Sequence, residues 1–246
     1  MIVEVLAVGT ELLLGQIVNG NGAEIGASLA DAGLDHYRQV VVGDNLARLT
    51  SAIAEAVSRA DALVITGGLG PTQDDLTREA MAAAAGVGMA FSDDEAEHLR
   101  ELWARRGREM PETNLRQAEH PEGADMIANA KGTAPGLQMR IGSCWVFALP
   151  GVPQEMRPML HSHVIPFLVE ACGEGRGVIV SRLLRTWGES ESRIAELLAD
   201  VYEASTNPTL AYLAGGGEIK LRLSARAGTR DDADRLIDPL DQEIRS

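Results

Sequence analysis

The sequence predicts an α/β fold, a parallel or mixed sheet flanked by helices, followed by a small α+β domain. Three observations carry this. Short apolar runs of strand length alternate with stretches of helical periodicity over the first third of the chain. Each of those runs ends at a glycine or at Thr-Gly, as strands leading into turns do. Beyond Gly173–Gly177 (GEGRG), a segment without apolar content, the order of elements changes.

Ile2–Val8 reads as the first strand, and Ile25, Leu29 and Ala30 give Asn21–Ala32 a helical face that stops at Gly33. Tyr37–Val42 is the second strand. Leu46–Ser58 is a helix carrying Leu46, Leu49, Ile53 and Val57 on one face. Ala62–Ile65 is the third strand, and Asp74–Gly86 the helix after it. This β-α-β-α-β alternation implies a parallel sheet with right-handed crossovers. Ser92 and Glu95 form a capping box opening a helix to about Arg106. Asn114–Gln117 reads as a short helical turn, Met126–Ala128, Gly136–Ile141 and Trp145–Leu149 as strands, and Gln154–Glu170 as a helix interrupted at Pro166. The second pattern has a strand at Val178–Arg185, a helix at Glu189–Glu203, strands at Thr209–Leu213 and Glu218–Ala225 and a helix at Asp231–Ile244. The predicted domains are therefore residues 1–172 and 177–246.

The composition bounds the function. The 246 residues suffice for a full core, and 45% apolar with 24% charged residues is ordinary for a globular protein. A balance of 22 basic against 36 acidic residues gives a net charge of −14, which argues against nucleic acid as a partner. No apolar run approaches the ~20 residues of a membrane span. The N-terminus lacks the basic region of a signal peptide, so a cytoplasmic location without membrane association is expected. Cys144 and Cys172 match no metal-ligand spacing, and His161-x-His163 would point to different helix faces. No Ser-His-Asp or Cys-His arrangement stands out.

The chemistry concentrates in Thr66–Thr77, TGGLGPTQDDLT. A glycine-rich turn between strand and helix brings backbone N–H groups to phosphate oxygens, helped by the helix dipole. It is neither a Walker loop, since no Lys follows the glycines, nor G-x-G-x-x-G. Asp74 and Asp75 at the expected helix start would repel a phosphate unless a divalent cation stands between. Two further strand ends carry Gly9-Thr10-Glu11 and Gly43-Asp44-Asn45, and all three would meet at one rim, where α/β sheets bind ligands. Asn19 and Asn21 join the first as polar contacts. Asp44 is either a helix N-cap or a third oxygen ligand for Mg²⁺ or Mn²⁺. Gly132–Gly136 and Pro150–Pro153 are two more tight loops. Gly215–Gly217 lies between strands, whereas an RNA-binding G-x-x-G would join two helices.

Taken in order, GTELLLGQIVN (9–19), VGDN (42–45), TGGLGPTQDDLT (66–77), RRGREMPETNLRQAEHPEGA (105–124), KGTAPG (131–136), LPGVPQEMRPM (149–159) and NPT (207–209) resemble the CinA (competence/damage-inducible protein A) family over essentially the whole chain. The resemblance implies a first domain of the molybdopterin-binding MoaB/MogA fold and a KH-like domain from about Gly177 to Ser246. It implies divalent-metal-dependent hydrolysis of ADP-ribose to AMP and ribose 5-phosphate, with Mg, Mn or Co as the metal. The alternative is a molybdopterin- or nucleotide-binding protein without hydrolase activity. The family's nicotinamide mononucleotide deamidase domain has no counterpart before Ser246, so that activity is not expected. Asn19-Gly20-Asn21 and Gly151-Val152-Pro153 replace the family's usual N-T-N and G-P-P.

On this reading Gly67, Gly68 and Gly70 present backbone donors to phosphates, and Thr72 and Thr77 add hydroxyls. Asp74 and Asp75 are catalytic and hold the metal with Asp44. Thr10, Glu11 and Asn19 contact the ligand at the rim, and Thr133, Gly151 and Pro153 close over its nucleoside end. The expected partner is a small-molecule nucleotide, and self-association into a homo-oligomer stays open.

Overall fold

The computed structural model describes residues 1–173, 177–215 and 218–246. The elements in order are β1 (Val3–Val8), α1 (Thr10–Leu13), α2 (Gly20–Asp31), β2 (Gln39–Val42), α3 (Leu46–Val57), β3 (Ala62–Thr66), α4 (Thr77–Ala85), β4 (Met89–Phe91) and α5 (Asp93–Arg105). A 3₁₀ helix, Glu112–Ala118, leads into β5 (Glu119–Pro121), β6 (Asp125–Ile127), β7 (Gly136–Ile141), β8 (Cys144–Leu149) and α6 (Pro153–Met159). A π-helical turn, Leu160–Val164, joins α6 to α7 (Ile165–Cys172). There follow β9 (Val178–Thr186), α8 (Glu191–Leu197), α9 (Ala199–Ala204), β10 (Thr209–Gly215), β11 (Glu218–Ala227) and α10 (Arg230–Arg245). Contacts divide the chain into one unit of Met1–Leu29 with Asp35–Cys172 and another of Ala30–Leu34 with Gly173–Ser246.

In the first unit a six-stranded sheet runs β2-β1-β3-β8-β7-β6. The pairs β1–β2, β1–β3 and β3–β8 are parallel, while β7 and β6 are antiparallel to their neighbours. The expected mixed α/β sheet is therefore present. β1 and β3 read as unbroken apolar runs because both faces are covered, and every residue in them is buried. Leu6, Val8, Leu63, Ile65, Val146 and Ala148 share one cluster with Leu49 and Ile53 of α3 and Ala80 and Met81 of α4. The alternate residues face the other way, where Phe147 meets Phe167 of α7 edge-on at 5.4 Å between centroids. Chain order 2-1-3 reverses direction between β1 and β3, which makes their C-terminal ends the switch point where α/β sheets open a crevice.

Several expectations shift. The helix after the glycine loop starts at Thr77, not Asp74, with Leu76 as its N-cap. Asp74 and Asp75 belong to the loop. The reason is local: Asp75 Oδ2 accepts from the Thr72 amide at 2.9 Å, folding a turn that delays the helix. The single helix expected over Gln154–Glu170 is two helices with a π turn between them; Pro158 and Pro166 each remove a donor there. The helix expected over Glu189–Glu203 ends at Leu197 and resumes at Ala199. The two-stranded pairing of β4 with β5 was not expected at all. The Ser92 cap is as expected, its Oγ accepting from Glu95 N at 3.1 Å.

The second unit is a three-stranded antiparallel sheet, β10-β11-β9, with α8, α9 and α10. Leu184, Ile194, Leu221, Leu223 and Ile237 form its core. In the linker expected at Gly173–Gly177, residues 174–176 lie outside the described residues, as do 216 and 217 of the glycine turn. Among the described residues no helix is long and apolar enough to cross a membrane. Cys144 is fully buried, and burial first, then Asp61 and Glu4, push its thiol up to about 12.

Candidate functional site

A cleft of about 510 Å³ opens at the C-terminal ends of β1, β2, β3 and β8. Its wall includes Gly9, Glu11, Asp44, Gly67, Gly68, Leu69, Gly70, Thr72, Asp74, Asp75, Gly151 and Glu155. A smaller cavity of about 160 Å³ shares Val8, Glu11 and Gly151 with it and adds Asn19, Asn21, Thr66 and Pro153. The three strand ends expected at one rim do meet there.

The glycine loop has a definite polarity. Gly67 and Gly68 take φ of 103° and 69°, open to glycine without strain. Thr77 Oγ1 donates to Gly67 O at 2.7 Å and Thr77 N to Gly68 O at 3.1 Å. Arg78, only 2% exposed, donates from Nη1 to Leu69 O at 2.6 Å and from Nη2 to Gly70 O at 2.7 Å. Four successive carbonyls are thus drawn back toward α4. The peptides are trans, so each N–H opposes the carbonyl of its own peptide unit. The amides of Gly68, Leu69 and Gly70 therefore face away from α4, on the side where these residues line the cleft, and make no hydrogen bond among the described residues. Three neighbouring N–H groups of this kind form an anion-binding concavity.

Carboxylates stand opposite. Glu11, Asp44, Asp74, Asp75 and Glu155 all line the cleft, and among the described residues no Lys or Arg does. Asp44 Oδ2 accepts from Thr10 N at 2.8 Å, and Asp44 N donates to Thr10 Oγ1 at 3.1 Å. Asp44 thus caps α1. The cap of α3 is Asn45, whose Oδ1 accepts from Arg48 N at 3.1 Å. Asp75 Oδ2 also accepts from the Thr72 hydroxyl. Hydrogen bonds from Thr72 and from its own amide, with a lesser contribution from the Arg116 charge, hold the exposed Asp74 carboxyl below its ordinary range. Among the described residues no three His, Cys, Asp or Glu side chains are grouped to hold an ion unaided. The donor set is nonetheless all hard oxygen, which suits Mg²⁺ or Mn²⁺ with ligands shared by a bound phosphate.

Other expected contacts are placed differently. Thr77 is fully buried behind the loop, so its hydroxyl shapes the loop and cannot reach a ligand. Thr133 does not line the cleft; Ala134 does. Thr10 is absent from the wall and acts through Asp44. Asn19 and Pro153 line the smaller cavity. Asn19 Oδ1 accepts from Gly22 N at 2.9 Å, while Asn21 Nδ2 donates to Thr66 Oγ1 at 2.9 Å and Gly151 O at 2.8 Å, tying α2 to the ends of β3 and β8.

Four contributors were not visible in the sequence. Glu155 reaches the cleft from α6. Asn129 donates to Glu155 Oε2 at 2.7 Å and to Ala134 O at 2.8 Å, and accepts from Lys131 N and Gly132 N. Arg78 and Arg116 grip the glycine loop from behind. Arg116 and Glu155 fall inside the RRGREMPETNLRQAEHPEGA and LPGVPQEMRPM motifs, which gave neither a role.

Residues 4–170 match the family model described as "Probable molybdopterin binding domain", and residues 181–246 match "Damage-inducible protein CinA KH domain". A CinA-like protein of Frankia casuarinae is 47% identical over 99% of this chain and 58% of its own length. One of Nostoc punctiforme is 44% identical over 100% of this chain and 59% of its own. The chain thus spans a little under three fifths of these relatives. The crystal structure of CinA from Thermoplasma acidophilum is 34% identical, with a TM-score of 0.63, over 68% of this chain and 97% of that one. With a molybdopterin-binding-type domain ahead of a CinA KH domain, and these relatives matched along its whole length, the chain belongs to the CinA-like family.

Proposed function

We propose that this protein hydrolyses the pyrophosphate of ADP-ribose to AMP and ribose 5-phosphate with a divalent metal ion. The observation that carries this is that, among the described residues, three unpartnered loop amides meet five carboxylates and no basic side chain in one cleft. Amides alone would suit an anion, but carboxylates beside it are tolerated only with a cation between. The substrate class comes from the resemblance in the glycine, Asp44 and Gly151 loops.

Asp74, Asp75 and the free oxygen of Asp44 would hold the ion, which supplies charge neutralisation and a more acidic bound water. The amides of Gly68, Leu69 and Gly70 stabilise charge on the phosphoryl oxygens as water adds to phosphorus and the bridging P–O bond breaks. Gly151 and Asn21 hold the neighbouring cavity open for the nucleoside end.

Purified protein offered ADP-ribose with Mg²⁺, Mn²⁺ or Co²⁺ should release AMP. Asp74→Asn and Asp75→Asn should each lower turnover by about a hundredfold or more while keeping the circular dichroism spectrum. Turnover at the unsubstituted level in either variant would reduce that carboxylate to a loop-shaping residue. A second reading is binding of molybdopterin without hydrolysis. It is favoured by the family description and by the lack, among the described residues, of a ready-made three-ligand ion site. Tight molybdopterin binding with no AMP release under any of the three metals would select it.

A further inference from the structure

The cleft has an anion concavity, yet among the described residues every charged side chain in its wall is negative. Two positive charges grip the loop from behind the wall. Arg78 is buried, holds Leu69 O and Gly70 O, and has no carboxylate within ion-pair distance among the described residues. Arg116, from the 3₁₀ helix about 40 residues on, holds the rest of the loop. Its Nη1 donates to Thr72 O, and its Nη2 to Asp75 O at 3.2 Å and Glu79 Oε1 at 2.6 Å. Two guanidinium groups thus take the carbonyls of residues 69, 70, 72 and 75, flanking the segment that faces the cleft.

We propose that Arg78 and Arg116 are positioning residues that set the anion affinity of the glycine loop, Arg78 through a peptide unit it polarises and Arg116 by fixing the turn beside the loop that carries Asp74 and Asp75. The proposal rests on the reading of this loop as a phosphate site. Each gripped carbonyl polarises its peptide, so the N–H on the opposite side becomes a stronger donor. The Arg78 Nη1 bond to Leu69 O acts on the Gly70 amide. Pro71 follows Gly70 and has no N–H, so the Nη2 bond to Gly70 O fixes the loop without adding a donor. Arg116 holds the carbonyls of Thr72 and Asp75, so it fixes the turn that carries both Asp74 and Asp75, while Thr77 and Arg78 hold the carbonyls of residues 67 to 70. The planar fork of arginine holds two carbonyls in one fixed geometry, which the rotatable ammonium of lysine does not. Placing the cations behind the wall also leaves the carboxylates free, since an arginine inside the cleft would pair with them.

The test is calorimetric titration of inorganic pyrophosphate with Mg²⁺ into the full chain. Arg116→Gln, Arg116→Lys and Arg78→Lys are compared with the unsubstituted protein, together with thermal melting. Arg116 is partly exposed, and thermal melting checks that its variants fold. Arg116→Gln should weaken pyrophosphate binding roughly tenfold to a hundredfold, the range of a charged hydrogen bond. Arg116→Lys should recover part of the affinity with the same melting temperature as Arg116→Gln, which a packing role alone would not produce. Arg78→Lys should fall between the unsubstituted protein and Arg116→Gln. Equal affinity in the unsubstituted protein and Arg116→Gln overturns the positioning role alone. An Arg116→Lys variant as weak as Arg116→Gln overturns the charge contribution. No pyrophosphate binding by the unsubstituted protein overturns the phosphate site and this inference with it.

Discussion

Gly68 has φ near 69°, and a Cβ there would run into the Thr77 hydroxyl that fixes the preceding carbonyl. Both facts act against any side chain. Gly68→Ala should cost roughly 1–3 kcal/mol of stability from the left-handed backbone alone. It should also turn the Gly68 amide out of the cleft as Thr77 is displaced. Urea unfolding and pyrophosphate titration on one preparation check both effects, and an alanine variant with unchanged binding would show that this amide does not serve the ligand. The three glycines of the loop are not equivalent. Gly70 needs its bare Cα because the Asp75 carboxylate lies against it, whereas Gly67 sits under the Val8 carbonyl. Sequence shows three glycines in a strand–helix turn; which atom excludes each side chain comes only from the folded chain.

At the level of elements, β3 holds the sheet and the loop together. It pairs with β1 on one side and β8 on the other, and Leu63 is fully buried between α3 and α4. Leu63→Ala should destabilise the first unit by about 2–5 kcal/mol, read as a lower urea midpoint with an unchanged slope. The central strands were legible in the sequence because burial on both faces leaves an unbroken apolar run. The start of α4 was not, because the turn closed by Asp75 on Thr72 competes with helix at the very residues that read as helix-favouring acids. The pairing of Met89–Phe91 with Glu119–Pro121 joins segments three residues long and about 30 apart, too short for any periodicity to register. Asn129, Arg78 and Arg116 escaped for another reason. Each acts on backbone carbonyls or amides, and a backbone partner leaves no trace in residue type. The glycine loop, Asp44 and Gly151 could be placed on the cleft because they follow apolar runs legible as strands.

At the scale of the whole molecule, each of the two units has a main core of its own. The first is layered on the six-stranded sheet, and the second is built from Leu184, Ile194, Leu221, Leu223 and Ile237 on three antiparallel strands. The cleft draws all its residues from the first. Ile237→Ala should therefore destabilise the second unit by about 2–5 kcal/mol and leave pyrophosphate affinity unchanged. Differential scanning calorimetry beside titration separates these outcomes, and a weakened affinity would show that the cleft depends on the C-terminal core.

Asp44 and Thr10 exchange two hydrogen bonds between the loops after β2 and β1, and so act as a latch. One carboxylate oxygen of Asp44 is spent on the first amide of α1, and the other has no partner among the described residues. An ion held by the free oxygen would fix the same carboxylate and so tighten the latch. An ion that took both oxygens would compete only with the Thr10 amide, because the Asp44 amide would still hold Thr10 Oγ1. The four-residue α1 that begins at Thr10, with an exposed Leu13 and then an exposed Leu14, would thus feel the charge on one aspartate of the neighbouring loop.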